Sequence, residues 1–422
     1  MKAEIIAIGS ELLTPYRVDT NSLFLTERLN RLGIEVTRKG VVGDNRVHLA
    51  AAFSEALLRA DLVIAIGGLG PTEDDLTREA LCDAIGRRLA MNDAVMQHIA
   101  ARFRRFGRTM SENNKKQALV PEGATVLENS RGTAPGLWLE DKGRIIVLLP
   151  GPPVELKPMF EQVEARLARH AGEIRMHQRE LRVAGVPESH VEQLIAPIYT
   201  QYSDVQTTIL ASPGEVQIHL RMWSADHASA QKLLDAVSER LAMALGEPLY
   251  TRAGETLETV VANQLTQHHA NIAVAESCTA GLVAERLTRI GGSSSYFVGG
   301  VICYSNELKS AWVDVPKELI EAKGAVSPEV AIALAENIRL RSGSSLGLGI
   351  TGIAGPGGGS PEKPVGLVHI ALANGAVTKE RRFHFPGDRE MVRWQASQMA
   401  LDMVRRYFLF GSKEVGGKEV RK

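Results

Sequence analysis

A buried strand that ends in a glycine-rich turn constrains this chain more than any other stretch. Residues Leu62–Ile66 are all apolar, which is typical of a strand covered on both faces. The turn Gly67–Pro71 follows at once, and glycine allows the backbone to turn sharply and to approach a ligand closely. Thr72 can cap a helix after this turn, and the free amides at such a helix start would suit a phosphate.

Two carboxylates, Asp74 and Asp75, come directly after this turn. Carboxylates repel a bare phosphate, but they suit one when a hard cation such as Mg²⁺ lies between them and the ligand. An ordinary strand–turn–helix whose acidic residues oppose the helix dipole would have the same sequence. This stretch alone leaves both interpretations open.

Strands and helices alternate through the first part of the chain. Predicted strands at Ala3–Ile8, Ile34–Val42 and Asp61–Ile66 are separated by predicted helices. This rhythm predicts an α/β domain with a parallel sheet and helices on both faces, and ligands bind at the carboxyl ends of such strands. Four polar stretches follow predicted strands at that edge: Gly9–Glu11, Gly43–Asn45, Gly67–Asp75 and Leu149–Pro153, the last of them after a predicted buried strand at Arg144–Leu149.

The composition limits the class of protein. A chain of 422 residues predicts two or three domains. Its formal net charge of zero argues against direct contact with nucleic acid or with an anionic membrane. The three cysteines, Cys82, Cys278 and Cys303, indicate neither a disulfide framework nor a CxxC metal site. Because the first residues also lack a signal peptide, we expect a cytoplasmic protein.

The pattern divides the chain into three predicted domains and a tail. Residues 1–172 form the first, residues 173–252 a small α+β (KH-like) domain, and residues 253–411 a second α/β domain. The middle domain has no convergent catalytic residues, and Val183–Val186 lacks the GxxG loop of nucleic-acid-binding KH modules. We therefore interpret it as a linker or assembly domain. Residues 412–422 are rich in glycine and lysine, so we expect them to be disordered.

Ser277 is the candidate nucleophile of the third domain. It follows a predicted strand and precedes a predicted helix, so we expect its hydroxyl at a helix N-terminus, where an anion is stabilised. Its base is either Lys309, desolvated beside the serine, or Tyr304. Cys278 is the rival nucleophile, since a thiol at a helix start can have a lowered pKa. The alternative without catalysis is that Ser277 and Thr279 only cap the helix.

A second glycine-rich loop, Gly352–Gly359, also follows a predicted buried strand. Its backbone amides could surround a phosphate or a ribose. No GK[ST] follows, which disfavours ATP hydrolysis of the P-loop kind. A flexible surface loop is the alternative interpretation.

Taken together, these motifs resemble the CinA family of competence/damage-inducible proteins over nearly the whole chain. Gly67–Asp75, Gly132–Gly136 and Leu149–Pro153 resemble its N-terminal molybdopterin-binding-type domain, which implies a three-layer α/β/α fold. Four further segments resemble the C-terminal amidohydrolase domain of the family: Ala275–Thr279, Tyr304–Lys309, Gly324–Ser327 and Gly349–Gly357.

The resemblance implies two hydrolytic activities and a homodimer. The C-terminal domain would hydrolyse the carboxamide of nicotinamide mononucleotide, giving nicotinate mononucleotide and ammonia, without a cofactor. The N-terminal domain would cleave the pyrophosphate of ADP-ribose with a divalent metal such as Mg²⁺. The rival hypotheses are a pterin-binding protein with a vestigial C-terminal domain and a non-enzymatic partner in DNA uptake or repair.

The site residues carried over from the resemblance form three sets. Ser277, Lys309 and Tyr304 would be catalytic. The substrate of the C-terminal domain would contact Glu276, Thr279, Gly281, Ser305, Ser327, Thr351, Gly352, Ala354, Gly355, Pro356 and Gly357. The N-terminal substrate would contact Gly9, Glu11, Thr20, Asn21, Gly67, Gly68, Gly70, Pro71, Thr72, Gly132, Thr133, Ala134, Gly151, Pro152 and Pro153, and the metal would be held by Asp44, Asp74 and Asp75.

Two departures from the family pattern have expected consequences. Ala280 stands where the family often has glycine, and we expect little effect if its φ is negative. Asp19 is an acid additional to the first family motif and could adjust the metal or ligand site.

Overall fold

The structure is a computed structural model that describes residues 1–170 and 172–410. The chain folds into two compact units. The first contains Met1–His177 and Trp223–Ala230, and the second contains Gln178–Met222 and the chain from Gln231 onward. The tail predicted to be disordered lies outside the described residues.

The N-terminal part has eight strands: β1 (Lys2–Ile8), β2 (Glu35–Val42), β3 (Leu62–Ile66), β4 (Leu89–Met91), β5 (Leu119–Pro121), β6 (Thr125–Leu127), β7 (Gly136–Asp141) and β8 (Arg144–Leu149). Six of them form one sheet in the order β2-β1-β3-β8-β7-β6, and β4 and β5 form a separate pair. The helices of this part are α1 (Asn21–Arg31), α2 (Arg46–Arg59), α3 (Thr77–Ile85), α4 (Asp93–Arg105) and α5 (Pro153–His170).

The four neighbouring strands β2, β1, β3 and β8 pair in parallel, whereas β7 pairs antiparallel with both β8 and β6. Alternate side chains of β1 enter two different cores, with Ile6 in one and Ile5 in the other, so both faces of the sheet are covered. The predicted α/β architecture is therefore confirmed. The carboxyl ends of the parallel strands meet at one edge, as predicted.

The middle segment forms a four-stranded sheet in the order β10-β11-β9-β12. Its elements are β9 (Arg175–Ala184), α6 (Glu188–Tyr199), β10 (Gln206–Ser212), β11 (Glu215–Ser224), α7 (His227–Leu245) and β12 (Leu249–Thr251). Alternate residues of β11, Val216, Ile218 and Leu220, are buried, which is the period expected of a half-buried strand.

The C-terminal sheet has five strands in the order β14-β13-β15-β16-β17. Its strands are β13 (Ile272–Glu276), β14 (Phe297–Ile302), β15 (Leu346–Gly352), β16 (Leu367–Ala373) and β17 (Thr378–His384). Its helices are α8 (Leu257–Gln267), α9 (Leu282–Thr288), α10 (Asn306–Val313), α11 (Lys317–Lys323), α12 (Pro328–Ser342) and α13 (Arg389–Phe410). Because β13, β14 and β15 are parallel, their carboxyl ends bring Ser277, Tyr304 and the loop after Gly352 to one edge.

None of the helices that the structure describes combines the length and the apolar character needed to cross a membrane.

Candidate active site

Lys309 and Ser277 meet at the carboxyl edge of the C-terminal sheet. The Lys309 Nζ donates a hydrogen bond to the Ser277 Oγ over 3.1 Å. Ser277 follows β13, and its amide donates to the Ile350 carbonyl of β15 over 3.0 Å, which fixes the nucleophile's backbone to the sheet. Lys309 comes from α10, whose start is capped by Ser305. The predicted nucleophile is thus in direct contact with one of its two predicted bases.

The environment of Lys309 favours its neutral form. The side chain is only 2% exposed, and its pKa is lowered by burial. Besides Ser277, its Nζ contacts the backbone carbonyls of Cys303 and Tyr304 at 3.0 and 3.1 Å. When the amine is neutral, these two carbonyls can accept its two N–H groups, and its lone pair then faces the Ser277 hydroxyl. A neutral lysine in that position can accept the serine proton.

Glu276 does not offer its carboxylate to a substrate. The side chain is buried and accepts hydrogen bonds from the amides of Gly281, Val283 and Ala284 at 2.9, 3.2 and 2.8 Å. A carboxylate in this position neutralises the positive end of the helix dipole. The expectation that the α9 N-terminus stabilises an anion beside Ser277 was therefore wrong. Neither Ser277 nor Thr279 caps α9, which begins at Leu282 after Gly281.

Cys278 is not suited to be the nucleophile. Its side chain is buried, and burial raises the pKa of its thiol to about 12. The thiol is therefore protonated at neutral pH, and a protonated thiol is a poor nucleophile. The suggestion that a helix start lowers this pKa was wrong, because desolvation by burial outweighs the effects that lower it.

Tyr304 contributes its backbone, rather than its hydroxyl, to the Lys309 contact. Its carbonyl accepts from Lys309, while its exposed hydroxyl accepts from Arg389 Nη2 over 2.7 Å. The predicted alternative of Tyr304 as the base is not supported by this arrangement. The tyrosine also lies beyond β14, which ends at Ile302.

Two arginines of α13 reach the same loops and were missed by the sequence analysis. Arg389 Nη1 donates to the Gly355 carbonyl over 2.8 Å, and Arg393 Nη2 donates to the Thr279 carbonyl over 2.9 Å. Their spacing of four residues places them on one helix face. The Arg393 Nε is buried without a hydrogen-bond partner, as is the hydroxyl of Thr279, in the part of the chain that the structure describes. The spacing was visible in the sequence, but nothing there indicated which loop the helix faces.

Ala280 has a backbone conformation that favours glycine. Its φ is +50°, and Gly281 follows with a φ of +90°. These two residues turn the chain between Ser277 and α9. The condition under which we expected Ala280 to have little effect, a negative φ, is not met.

The other predicted C-terminal residues hold the loops in place. The Ser305 hydroxyl accepts from the Leu308 amide, and the Ser327 hydroxyl accepts from the Val330 amide, so both serines cap helices. The buried Thr351 hydroxyl donates to the Ala325 carbonyl over 2.7 Å. The end of β15 and the loop that follows it contain the remaining residues: Gly352, Ala354, Gly355, Pro356 and Gly357.

A second cleft, of about 360 Å³, lies at the carboxyl edge of the N-terminal sheet. Fourteen of the predicted N-terminal residues line it: Gly9, Glu11, Asp44, Gly67, Gly68, Gly70, Pro71, Thr72, Asp74, Asp75, Thr133, Ala134, Gly151 and Pro152. Gln117 and Glu155 line it as well and were missed by the sequence analysis.

Four of the predicted N-terminal site residues do not line the cleft and lie at helix ends or in turns: Thr20, Asn21, Gly132 and Pro153. Thr20 immediately precedes α1, and Pro153 is the first residue of α5. The Gly132 amide donates to the Asn129 Oδ1 over 2.7 Å in the turn before β7. Asn21 donates to the Gly151 carbonyl over 2.7 Å and so links α1 to a loop that lines the cleft.

The glycine turn after β3 is held by contacts within the same unit. The Arg78 side chain is buried and donates to the carbonyls of Leu69 and Gly70 at 2.9 and 3.1 Å. The Thr72 amide donates a hydrogen bond to the Asp75 carboxylate over 2.9 Å. Thr72 does not cap α3, because this helix begins five residues later at Thr77. The predicted cap was wrong because residues 71–75 form a turn of their own.

The predicted metal ligands line one cleft but do not form a ready-made set. No group of three or more His, Cys, Asp or Glu side chains in residues 1–170 and 172–410 is arranged to hold a metal ion. Asp44 accepts from the Ser10 amide over 2.7 Å, and Asp75 accepts from Thr72. Since Mg²⁺ is often held by one or two carboxylates together with substrate phosphates, these residues fit a cation that arrives with its ligand. Asp19, expected to adjust this site, instead accepts from the Ser22 amide at the start of α1.

Three parts of the chain match known families. Residues 4–170 match a probable molybdopterin binding domain, residues 178–251 the damage-inducible protein CinA KH domain, and residues 254–408 the CinA C-terminal domain. A CinA-like protein of Koribacter versatilis is 51% identical over 96% of this chain and 99% of its own length. A CinA-like protein of Acidobacterium capsulatum is 50% identical over 96% and 99% of the two chains. A putative competence-damage inducible protein of Acetivibrio thermocellus is 42% identical over 97% and 99%.

Proposed function

This chain belongs to the CinA family, and on that premise we propose that its C-terminal part hydrolyses the carboxamide of nicotinamide mononucleotide. The products are nicotinate mononucleotide and ammonia. The observation that carries the proposal is the 3.1 Å contact between the Lys309 Nζ and the Ser277 Oγ. An amide is a poor electrophile, so its hydrolysis needs an activated nucleophile, which this pair can supply.

Lys309 acts as the general base in the first half of the reaction. Its neutral amine takes the proton from the Ser277 hydroxyl while the Ser277 Oγ forms a bond to the carboxamide carbon. The resulting tetrahedral intermediate carries its negative charge on the former carbonyl oxygen. When it collapses, the C–N bond breaks, and the Lys309 ammonium returns its proton to the leaving nitrogen, so that ammonia departs. The acyl group remains esterified to Ser277.

The second half consumes one water molecule. Lys309, again neutral, removes a proton from water as the water oxygen attacks the ester carbon. The C–O bond to Ser277 then breaks, and Lys309 returns the proton to the Ser277 oxygen. Nicotinate mononucleotide leaves as the carboxylate, and its acidic proton passes to solvent. The sum is one carboxamide and one water converted into one carboxylic acid and ammonia.

The Cys278 amide is the proposed donor to the developing oxyanion. It belongs to the residue after the nucleophile, a position that serves this purpose in serine hydrolases with a strand–turn–helix nucleophile. The amides at the start of α9 are engaged by Glu276 and are not proposed for this role. The Cys278 amide, in contrast, donates to no oxygen atom in the described residues.

Arg389 and Arg393 support recognition of the nucleotide phosphate. The Arg389 guanidinium contacts the loop after β15, the Arg393 guanidinium contacts the turn after Ser277, and guanidinium is a preferred partner of phosphate. The buried and unpartnered Nε of Arg393 is an available donor. The Gly355–Gly357 loop adds backbone amides at the same edge, as expected from its glycine content.

The test is ammonia release from nicotinamide mononucleotide by the purified chain. We expect release by the wild type, loss in Ser277→Ala, and no dependence on added Mg²⁺ or EDTA. Ser294→Ala is the matched control, since Ser294 is exposed and lies outside the site. Release that survives Ser277→Ala would contradict the serine mechanism. No release by the folded wild type would contradict the proposed substrate.

For the N-terminal part we propose a second activity, the metal-dependent hydrolysis of ADP-ribose to AMP and ribose 5-phosphate. The cleft of about 360 Å³ favours it, because glycine turns and the side chains of Asp44, Asp74 and Asp75 line the same space. Asp44 and Asp74 would hold a divalent cation that neutralises the charge of the pyrophosphate. The glycine amides of the cleft would bind the phosphate oxygens directly.

This second activity is separable from the first. We expect AMP release from ADP-ribose to require a divalent cation, to be lost in Asp74→Asn and to persist in Ser277→Ala. Asp93→Asn is the control, since Asp93 is exposed at the start of α4 and outside the cleft. Cleavage that is unaffected by EDTA or by Asp74→Asn would contradict this assignment.

A further inference from the structure

A pocket of about 160 Å³ lies between the β16–β17 hairpin and the C-terminal half of α13. It is separate from the Ser277 site, although α13 takes part in both. Arg406, at the pocket, comes 13 residues after Arg393 on this helix. At 1.5 Å per residue, that spacing corresponds to about 20 Å along the helix axis.

One side of the pocket is apolar and the other is cationic. Leu372, Val377 and Met403 supply the apolar lining, and Lys379 and Arg381 are the cationic residues on β17. Since successive side chains of a strand point to opposite faces, Lys379 and Arg381 share a face and the Glu380 side chain points to the other, although Glu380 is also among the residues that line the pocket. The Glu380 carboxylate is accordingly bound to His369, at 2.6 Å from its Nδ1.

The Lys379 ammonium lacks a partner. Its Nζ is buried and forms no hydrogen bond with any group in the described part of the chain. An isolated buried charge is costly, and buried cations are normally paired or hydrogen-bonded. The position therefore requires a compensating group that the described residues do not supply.

Neighbouring charges do not supply it either. Besides Glu380, the carboxylates of Asp402 and Glu247 act on Arg381. Both are already paired with arginines: Asp402 with Arg405 and Arg406, and Glu247 with Arg406. Arg381 forms no ion pair in the described residues and lies over the Phe383 ring, 5.3 Å from its centroid. Burial, and after it the positive charge of Arg406, lower the pKa of Arg381, while Asp402 and Glu247 act in the opposite direction.

The Tyr407 hydroxyl completes the polar side of the pocket. It accepts a long hydrogen bond of 3.4 Å from the Asn374 amide nitrogen, so its own proton is available to an incoming acceptor. An ammonium, a guanidinium and a phenol thus line one small space. The carboxylate among the lining residues, that of Glu380, is already engaged by His369.

We propose that this pocket binds a small anion, with a phosphate or carboxylate head group held by Lys379 and Arg381. The Tyr407 hydroxyl donates to the same head group, and any apolar part of the ligand packs against Leu372 and Met403. The volume is below the roughly 300–1,000 Å³ of sites for drug-sized ligands, so the ligand is of fragment size rather than a whole dinucleotide.

The experiment measures the thermal unfolding temperature of the full chain in inorganic phosphate, in benzoate and in sodium chloride at equal ionic strength. Phosphate and benzoate distinguish the two head groups. A ligand that binds only the folded state raises the unfolding temperature. We expect one of these anions to raise it in the wild type and in the charge-retaining Lys379→Arg, but not in Lys379→Met.

Lys379→Met carries a second expectation that needs no ligand. Without added anion it should unfold at a higher temperature than the wild type, because it removes an uncompensated buried charge. Arg381→Met is the companion variant if Lys379→Met fails to fold, and it should also lose the response to the anion. Lys317→Met, at an exposed lysine of α11, is the control and should respond like the wild type.

The proposal is overturned if neither anion stabilises the wild type beyond chloride, or if Lys379→Met responds as the wild type does. The second result would place the anion elsewhere, for example at the proposed mononucleotide site. Ammonia release by Lys379→Met in chloride is expected to match the wild type. The outcome for this pocket is therefore independent of the outcome for Ser277.

Discussion

The side chain of Lys309 reaches Ser277 across 32 residues of sequence and donates to its hydroxyl over 3.1 Å. No acidic side chain among the described residues binds this lysine; its other two hydrogen bonds are to the carbonyls of Cys303 and Tyr304. Those carbonyls fix the direction of the amine without stabilising a full positive charge as a carboxylate would. The arrangement aims the amine at one hydroxyl and favours its neutral form, as the proposed role of base requires.

Replacing Lys309 with methionine should abolish turnover without unfolding the protein. Removal of a general base typically costs about 10²–10⁴-fold in rate. Methionine fills a similar volume and removes a buried amine, so the unfolding temperature should not fall greatly. The measurement is kcat/KM for ammonia release, with Lys317→Met as the exposed control. Activity within about twofold of wild type would exclude Lys309 from proton transfer.

The pH profile should reveal the titration of Lys309. Burial lowers its pKa below the ordinary 10.5, and the reaction needs the neutral amine, so kcat/KM should rise with pH and level off below that value. Between the folded and unfolded pKa values the unfolded chain binds more protons, so the contribution of Lys309 to stability also rises with pH. A Cys278 nucleophile, with a pKa of about 12, would still be gaining activity at the highest pH tested. That continued rise would contradict the lysine assignment.

Ala280→Gly should stabilise the protein by about 1 kcal/mol. The φ of Ala280 is +50°, and an L-residue with a Cβ pays about 1–2 kcal/mol there, which exceeds the entropic cost of glycine. Urea unfolding measures the difference. Ala311→Gly, in α10 and exposed, is the opposite control and should destabilise by up to about 1 kcal/mol. Equal destabilisation by both would mean that residue 280 is not strained.

The fold could be predicted where the apolar residues of the sequence follow a clear pattern. The strand Arg144–Leu149 was predicted with its observed bounds because an apolar run between turn residues has few alternatives. The Ser277 hydroxyl was wrongly expected at the N-terminus of α9, because two consecutive residues with positive φ, Ala280 and Gly281, carry the chain through an extra turn before Leu282. That turn moves the helix away from Ser277 and lets Glu276 cap it.

The candidate site was predictable where chemistry follows strand ends and unpredictable where it comes from a distant helix. Ser277 and Lys309 stand next to predicted strands, so topology alone brought them to one edge. Arg389 and Arg393 lie on α13, at the end of the described chain, and their contacts depend on the packing angle of that helix. Arginine spacing on a helix does not reveal which loop the helix faces.

Arg393→Met should separate phosphate recognition from chemistry. A hydrogen bond to a charged group contributes about 1.5–3 kcal/mol, so KM for nicotinamide mononucleotide should rise by about 10–100-fold. Nicotinamide riboside lacks the phosphate, so its kcat/KM should be nearly the same in the variant and in the wild type. Arg341→Met, at an exposed arginine paired with Asp314, is the control.

The riboside comparison matters because Arg393 also donates to the Thr279 carbonyl. If the arginine only supports the loop that carries Ser277, both substrates should lose activity together in Arg393→Met. Arg393→Lys keeps a positive charge but lacks the planar fork, so it should recover part of the mononucleotide affinity. Equal losses for the mononucleotide and the riboside would show that the arginine positions the loop and that the phosphate is bound elsewhere.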